Sequence, residues 1–394
     1  MMEPLLWLLL PVAAASGWWI ARSTRKLLQQ DCPPGINRQY IQGFNYLLNE
    51  QPDKAIEALI NVLDTDHETV ETHLVLGALF RRRGEVDRAI RIHQNIIARP
   101  NLDQQQRNQA LLELGTDYLK AGVLDRAENI FNKMLDIQSK NPKVYKQLRE
   151  IFEQEKEWQK AIEMTQQIIR LGDKQQSTVL AQYYCELAAL KIPDNREQVQ
   201  QYLKNAISAD KTCVRAHIMM GDNHVAEKNI RQAIKSYLRV LDINRSFAPL
   251  IFNKLAYVYN AENDPERFIR FLEKQGSEQK AANRLALLQA YQDAGDKNEV
   301  RALLESELTR KDASPKLIKR YLEMMRDQSE GDIKNIFSAL YHLLDHELSN
   351  YKAYGCKHCG FESNTLFWQC PTCKNWDTVR PGRFYNPQLD EPGK

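Results

Sequence analysis

"GEVDRAIRIHQNII" (Gly84 to Ile97) and "GVLDRAENIFNKML" (Gly122 to Leu135) are two settings of one phrase. Each opens on glycine, carries Asp-Arg-Ala at its centre, and continues with apolar residues at helical spacing. A phrase that recurs at a fixed interval marks a repeat architecture, and that reading outranks any single-helix assignment. Aligning on the central small residue extends the series to Ala55, Ala89, Ala127, Ala161, Val199, Ala233 and Phe268, at intervals of 34, 38, 34, 38, 34 and 35. Weaker continuations are anchored at Val300 and Ile336.

Twelve residues before the anchors stand Gly43, Gly77, Gly115, Arg149, Leu187, Gly221 and Ala256, and three further on Tyr46, Phe80, Tyr118, Phe152, Leu190, His224 and Tyr259. This is the tetratricopeptide pattern. Small residues let the two helices of a unit approach, an aromatic fills the remaining gap, and stacking of units buries a continuous core. The expected array has about nine helix-turn-helix units over residues 37–348, with longer turns near "RPNLDQQQR" and "LGDKQQS". Tyr40, Phe44, Arg81, Lys120, Lys143, Lys146, Tyr184, Lys191, Arg215 and Tyr257 are expected on the concave face. Their mixed aromatic and basic character suits a peptide or protein with acidic and apolar features.

Composition agrees with a helical chain: 394 residues hold 16 glycines and 15 prolines. The 54 Lys and Arg nearly cancel 51 Asp and Glu, so no general basic character argues for nucleic acid.

From Pro4 to Ala21, "PLLWLLLPVAAASGWWIA" runs without a charge, near the lower length limit for a helix spanning a bilayer. Arg22, Arg25 and Lys26 follow, which puts the C-terminal side in the cytoplasm. A cleaved secretory signal would carry its basic residues before the apolar run. Residues 1–21 therefore read as a single-pass anchor and 22–36 as a linker.

Four of the seven cysteines lie in "YGCKHCGFESNTLFWQCPTCKNW" (Tyr354 to Trp376). Cys356, Cys359, Cys370 and Cys373 form two C-x-x-C pairs, and two such turns facing each other complete a tetrahedral shell of four sulfurs. That shell leaves no open coordination position, which argues against metal-assisted hydrolysis. Gly360 and Pro371 shape the turns, while Phe361, Phe367, Trp368 and Trp376 offer a minimal core. Spacing alone does not choose between zinc and iron. The phrasing resembles rubredoxin, departing at Lys374, where a second turn glycine is usual, and in a shorter loop. The expected domain covers 349–380, with a disordered tail at 381–394. Its aromatic strip exceeds what so small a core buries, so a contact with the last helices or with a partner is expected.

Cys32, Cys185 and Cys213 stand alone and read as a linker thiol and two core positions. His342 and His346 are one helical turn apart, but Leu343 stands where a zincin needs glutamate. No P-loop, nucleophile elbow or dinucleotide fingerprint is present, so the chain reads as a non-enzyme.

The fold expected is all-α: a tetratricopeptide superhelix with an N-terminal transmembrane helix and a small C-terminal rubredoxin-like metal knuckle. That order, with "LLLPVAAASGWW", "LFRRRGEVDRAIRIHQ" and "CKHCGF...LFWQCPTCKNW", resembles the lipopolysaccharide assembly protein B family of Gram-negative bacteria. The resemblance implies an inner-membrane adaptor that limits lipopolysaccharide synthesis. It would promote degradation of the UDP-acyl-N-acetylglucosamine deacetylase of lipid A synthesis by a membrane-bound AAA metalloprotease. Organisation of other lipopolysaccharide synthesis or transport proteins is implied as well. The resemblance also favours iron over zinc on Cys356, Cys359, Cys370 and Cys373. The competing readings are a scaffold without a proteolytic role and a redox or iron sensor.

Overall fold

The computed structural model describes residues 45–46, 49, 51, 53–56, 70–192, 195–274 and 281–382. The expected anchor (1–21), the linker (22–36), Tyr40, Phe44 and the tail from 383 onward lie outside the described residues. Among the described residues no helix is long and apolar enough to cross a membrane.

The described chain runs as successive helix pairs: α1 (Val70–Arg83) with α2 (Val86–Ile97), α3 (Gln104–Lys120) with α4 (Leu124–Ile137), α5 (Pro142–Gln154) with α6 (Trp158–Arg170), and α7 (Ser177–Lys191) with α8 (Arg196–Ala209). It continues with α9 (Val214–Ala226) and α10 (Ile230–Ile243), α11 (Ala248–Ala261) and α12 (Pro265–Lys274), α13 (Ala281–Ala294) and α14 (Lys297–Glu307), and α15 (Pro315–Gln328) and α16 (Gly331–Ser349). Every anchor from Ala89 to Ile336 falls in the second helix of its pair. Of the two four-residue insertions, the first is an open turn in which the Asp103 carboxylate accepts from Gln106 N and caps α3. The second coils into a 3-10 turn at Lys174–Gln176.

The repeat pattern has a steric cause visible at each described glycine position. A Cβ on Gly115 would lie 2.5 Å from the Phe131 ring, and one on Gly221 would lie 2.3 Å from the Tyr237 ring. The hydrogen of glycine is what lets the paired helix seat its aromatic there. At Gly77 the facing group is the His93 imidazole.

The chain divides into two compact units, residues 1–147 and 148–394, with the division inside α5. In the first unit the substitution of histidine for an aromatic brings a buried polar network. His93 Nδ1 lies 2.5 Å from Asp117 Oδ2, and both side chains are fully buried. Asp117 Oδ1 accepts from Arg81 at 2.6 Å, and Arg81 also bonds Glu113 at 2.6 Å. A carboxylate so placed needs every one of these partners to offset its desolvation.

The second unit holds α6 to α16, most of α5, and the terminal knuckle. Three short strands, β1 (Tyr354–Cys356), β2 (Glu362–Ser363) and β3 (Val379–Pro381), form an antiparallel sheet in the order β2-β1-β3. Gly355 pairs with Glu362 on one side and Arg380 on the other. The knuckle's own buried core is Ala353, Tyr354, Cys356, Cys370 and Val379.

Candidate metal centre and its seat on the array

Two matching turns bring the four cysteines together. Cys356 O accepts from Gly360 N at 3.0 Å and Cys356 N donates to Phe361 O; in the second turn Cys370 O accepts from Lys374 N at 2.9 Å and Cys370 N donates to Asn375 O. Gly360 and Lys374 occupy equivalent left-handed positions, with φ of 75° and 58°. The sequence departure at Lys374 therefore keeps the backbone geometry of a glycine turn and bears the steric cost of a Cβ there.

The four sulfurs lie within 4.8 Å of one another. Cys356 Sγ is 3.8 Å from Cys373 Sγ, and Cys359 Sγ is 3.6 Å from Cys370 Sγ. Tetrahedral bonds of about 2.3 Å to a central ion require sulfur–sulfur edges of about 3.8 Å, so the residues fit one thiolate-bound metal ion. Without an ion the thiols are unequal: against burial, the Thr378 hydroxyl and backbone N–H groups bring Cys356 down to about 6, whereas at Cys359 the Phe361 backbone N–H is outweighed by desolvation and the three neighbouring sulfurs, which push it up to about 12. In the array, burial instead pushes the Cys185 thiol well up, as suits a core residue.

Cys370 is fully buried and Cys359 is exposed, so the site is sealed on one side and open on the other. The sealed side faces the array. Trp376, three residues after Cys373, donates Nε1–H to Glu153 Oε1 at 2.8 Å, and Gln369 donates to the same oxygen. Glu153 Oε2 accepts from Tyr183 at 2.6 Å. Burial and this carboxylate hold the Tyr183 phenol protonated, far above its usual range. The Trp376 ring meets Tyr183 and Trp158 edge-on, at 5.8 and 6.3 Å between centroids.

A second anchor precedes the same cysteine pair. Trp368, two residues before Cys370, stacks on Phe247 at 5.9 Å, with the Arg215 guanidinium 5.8 Å from its ring. Arg380, gripped by both oxygens of Asp377, lies on Phe247 at 5.0 Å. Aromatic pairs of this kind contribute roughly 0.5–1.5 kcal/mol each beyond their area.

The knuckle thus sits on α5, α6, α7, α9 and the 3-10 turn Arg245–Phe247 rather than on the last helices, and both tryptophans leave its core to do so. Phe361 stays with the knuckle core, paired edge-on with the exposed Phe367 at 6.2 Å. Of the expected concave-face residues, Arg81 is committed to the Asp117 network. Arg215, 8% exposed, is bonded to Glu186 at 2.7 Å beneath Trp368. Tyr184 is half-buried and its hydroxyl accepts from Gln166. Lys120, Lys143, Lys146, Lys191 and Tyr257 are exposed. Glu153, Trp158, Tyr183 and Phe247, which seat the knuckle, carry no sequence motif. The surplus of aromatic residues in the knuckle was the signal that such a seat exists. His342 and His346 are exposed, and among the described residues only the four cysteines group as metal ligands.

The comparisons agree with this anatomy. Residues 354–381 match a family model described as a rubredoxin metal-binding domain, and residues 72–105 match one described as a tetratricopeptide repeat. The chain is 34% identical over 384 residues to lipopolysaccharide assembly protein B of Escherichia coli, covering 97% of this chain and 99% of that one. It is 32% identical over 392 residues to the protein of the same name from Haemophilus influenzae, covering 96% and 98%. A solved tetratricopeptide repeat protein from Parabacteroides merdae is 14% identical, covering 64% of this chain and 97% of that one, with a TM-score of 0.36. The chain belongs to the lipopolysaccharide assembly protein B family.

Proposed function

We propose that the protein is an inner-membrane adaptor that limits lipopolysaccharide synthesis by presenting the UDP-acyl-N-acetylglucosamine deacetylase to a membrane-bound AAA metalloprotease. The supporting observation is whole-length similarity to lipopolysaccharide assembly protein B, together with a chain built for contacts rather than chemistry. Residues 1–21 would tether the array facing the cytoplasm, raising the local concentration of whatever it binds. Exposed Lys120, Lys143 and Lys146 of the first unit and Lys191 and Tyr257 of the second are the proposed client contacts, with Arg81, Tyr184 and Arg215, and with Tyr40 and Phe44 from outside the described residues.

Iron is the proposed metal, held by Cys356, Cys359, Cys370 and Cys373. The bound ion supplies a cross-link between the two turns, and the protein's own residues do the rest: Trp368 and Trp376 convert a formed knuckle into a docked one. The test of the adaptor reading is the half-life of the deacetylase after protein synthesis is blocked. Cells are depleted of this protein and rescued with the intact chain or a chain lacking residues 1–21. Depletion should lengthen the half-life, and only the anchored chain should restore turnover. An unchanged half-life contradicts proteolytic control and favours a scaffold.

Exposure of Cys359 supports a second reading, redox or iron sensing, because a solvent-facing thiolate gives electrons a path to the ion. Zinc in the protein isolated from cells would eliminate it, since zinc has no redox chemistry.

A further inference from the structure

α11 and α13 are the first helices of consecutive repeats, and the last turns of both border a cavity of about 390 Å³. That volume lies at the small end of the range for ligand pockets, roughly 300–1,000 Å³. Its apolar lining includes Phe268 of α12 and the methyl groups of Ala290 and Ala294 on α13. Its polar lining is Asn260 near the end of α11, Asn263 in the turn that follows, and Asp293 of α13. The small side chains of Ala290 and Ala294 leave the space open. Neither asparagine side chain has a hydrogen-bond partner among the described residues.

We propose that this cavity binds an arginine side chain presented by a segment of a partner protein. Charge is the first reason. α11 ends at Ala261 and α13 at Ala294, so two helix C-termini, each the negative end of its dipole, border the same space. The positive end of α12 lies close by, but Asp264 caps it by accepting from Arg267 N at 3.1 Å. Asp293 is the one charged residue of the lining. Its carboxylate accepts from the neutral Gln289 amide at 2.8 Å, and no cation pairs with it among the described residues. The arginines of α12 are engaged elsewhere, Arg267 with Glu262 and Arg270 with Asp264 and Glu266. Acceptor placement is the second reason. The side-chain oxygens of Asn260, Asn263 and Asp293 come from two helices and a turn, a spread that suits the five donors of a planar guanidinium better than the point charge of an ammonium. The arginine methylenes would lie along Ala290, Ala294 and Phe268, keeping the charged head at the polar lining. This site is independent of the proteolytic reading, because it needs only the fold of these two repeats.

The test is saturation-transfer NMR of the full chain in detergent, titrated with the blocked tripeptide acetyl-Ala-Arg-Ala-amide. The same peptide with citrulline, which keeps the shape of arginine and lacks its charge, and those with lysine and glutamate are measured beside it. Asp293→Asn removes the carboxylate and Ala294→Leu fills the cavity, both at exposed positions that leave the repeat core untouched. Glu347→Gln, which removes an exposed charge from α16, is the control. The arginine peptide should bind, weakened about fivefold by Asp293→Asn, the upper range for an exposed ion pair, more strongly by Ala294→Leu, and not at all by Glu347→Gln. Citrulline, lysine and glutamate peptides should bind more weakly than arginine. Absence of arginine binding overturns the inference. So does citrulline, lysine or glutamate binding as tight as arginine, or arginine binding that both cavity substitutions leave unchanged. Neither the deacetylase nor the protease enters the measurement, so its outcome stands apart from that of the half-life experiment.

Discussion

The array and the knuckle reach order by opposite routes. In the array, each unit contributes a small residue, an aromatic and a stacking face, so stability is spread over dozens of buried positions and each contact is nearly local in sequence. The knuckle has five buried core residues and eight strand residues, too little apolar surface to fold unaided, and it depends on four sulfurs and on its seat. The array should therefore survive most single lesions with partial loss, whereas the knuckle should fail as a unit. Contact between them makes the metal's influence reach further than its ligands. Trp368 and Trp376 flank the second cysteine pair, so the turn that closes on the ion also aims both anchors at the array.

The sharpest way to break the comparison is Cys370→Ser. Structural thiolate sites supply roughly 10–16 kcal/mol of apparent binding energy, so losing the buried sulfur should abolish metal retention and release both tryptophans. Metal content and a red-shifted tryptophan emission would report this, with helical circular dichroism largely retained. A loss of most helicity would show that the array leans on the knuckle.

Next in size is Gly221→Ala, whose added Cβ meets the Tyr237 ring at 2.3 Å. Overpacking there should cost about 3 kcal/mol, measured by urea unfolding, and should leave metal binding intact. Glu153→Leu takes the acceptor from Trp376, Gln369 and Tyr183, and should destabilise the docked state by about 2 kcal/mol. Hydrogen exchange in residues 354–382 should rise while metal stays bound, separating docking from metal binding. The smallest effect has the opposite sign. Lys374→Gly relieves a left-handed lysine and should make the metal-loaded knuckle more resistant to chelator by about 1 kcal/mol.

How much could be read beforehand follows the same division. The helix pairs were legible because each packing rule leaves a residue at a fixed offset: Gly115 under Phe131, Ala127 five residues past Gly122. The four cysteines were legible because metal geometry fixes their spacing. The seat was not, because Glu153 and Trp376 are separated by more than two hundred residues and their contact obeys no local period. Arg81 and Arg215 look like free cations in sequence. Only the folded chain shows Asp117 and Glu113 beside the first and Glu186 beside the second. Lys374 looked like a defect in the second turn, yet its φ shows the turn intact.

The account rests on a metal-held knuckle clasped to the array. Hydrogen exchange of the full-length protein, with and without a chelator that strips the ion, tests this most directly. Chelation should remove protection across 354–382 and deprotect the seat around Glu153, Tyr183 and Phe247, while α2 to α4 exchange as before. Protection of 354–382 that persists without metal would contradict the account, and so would a seat whose exchange is indifferent to the ion.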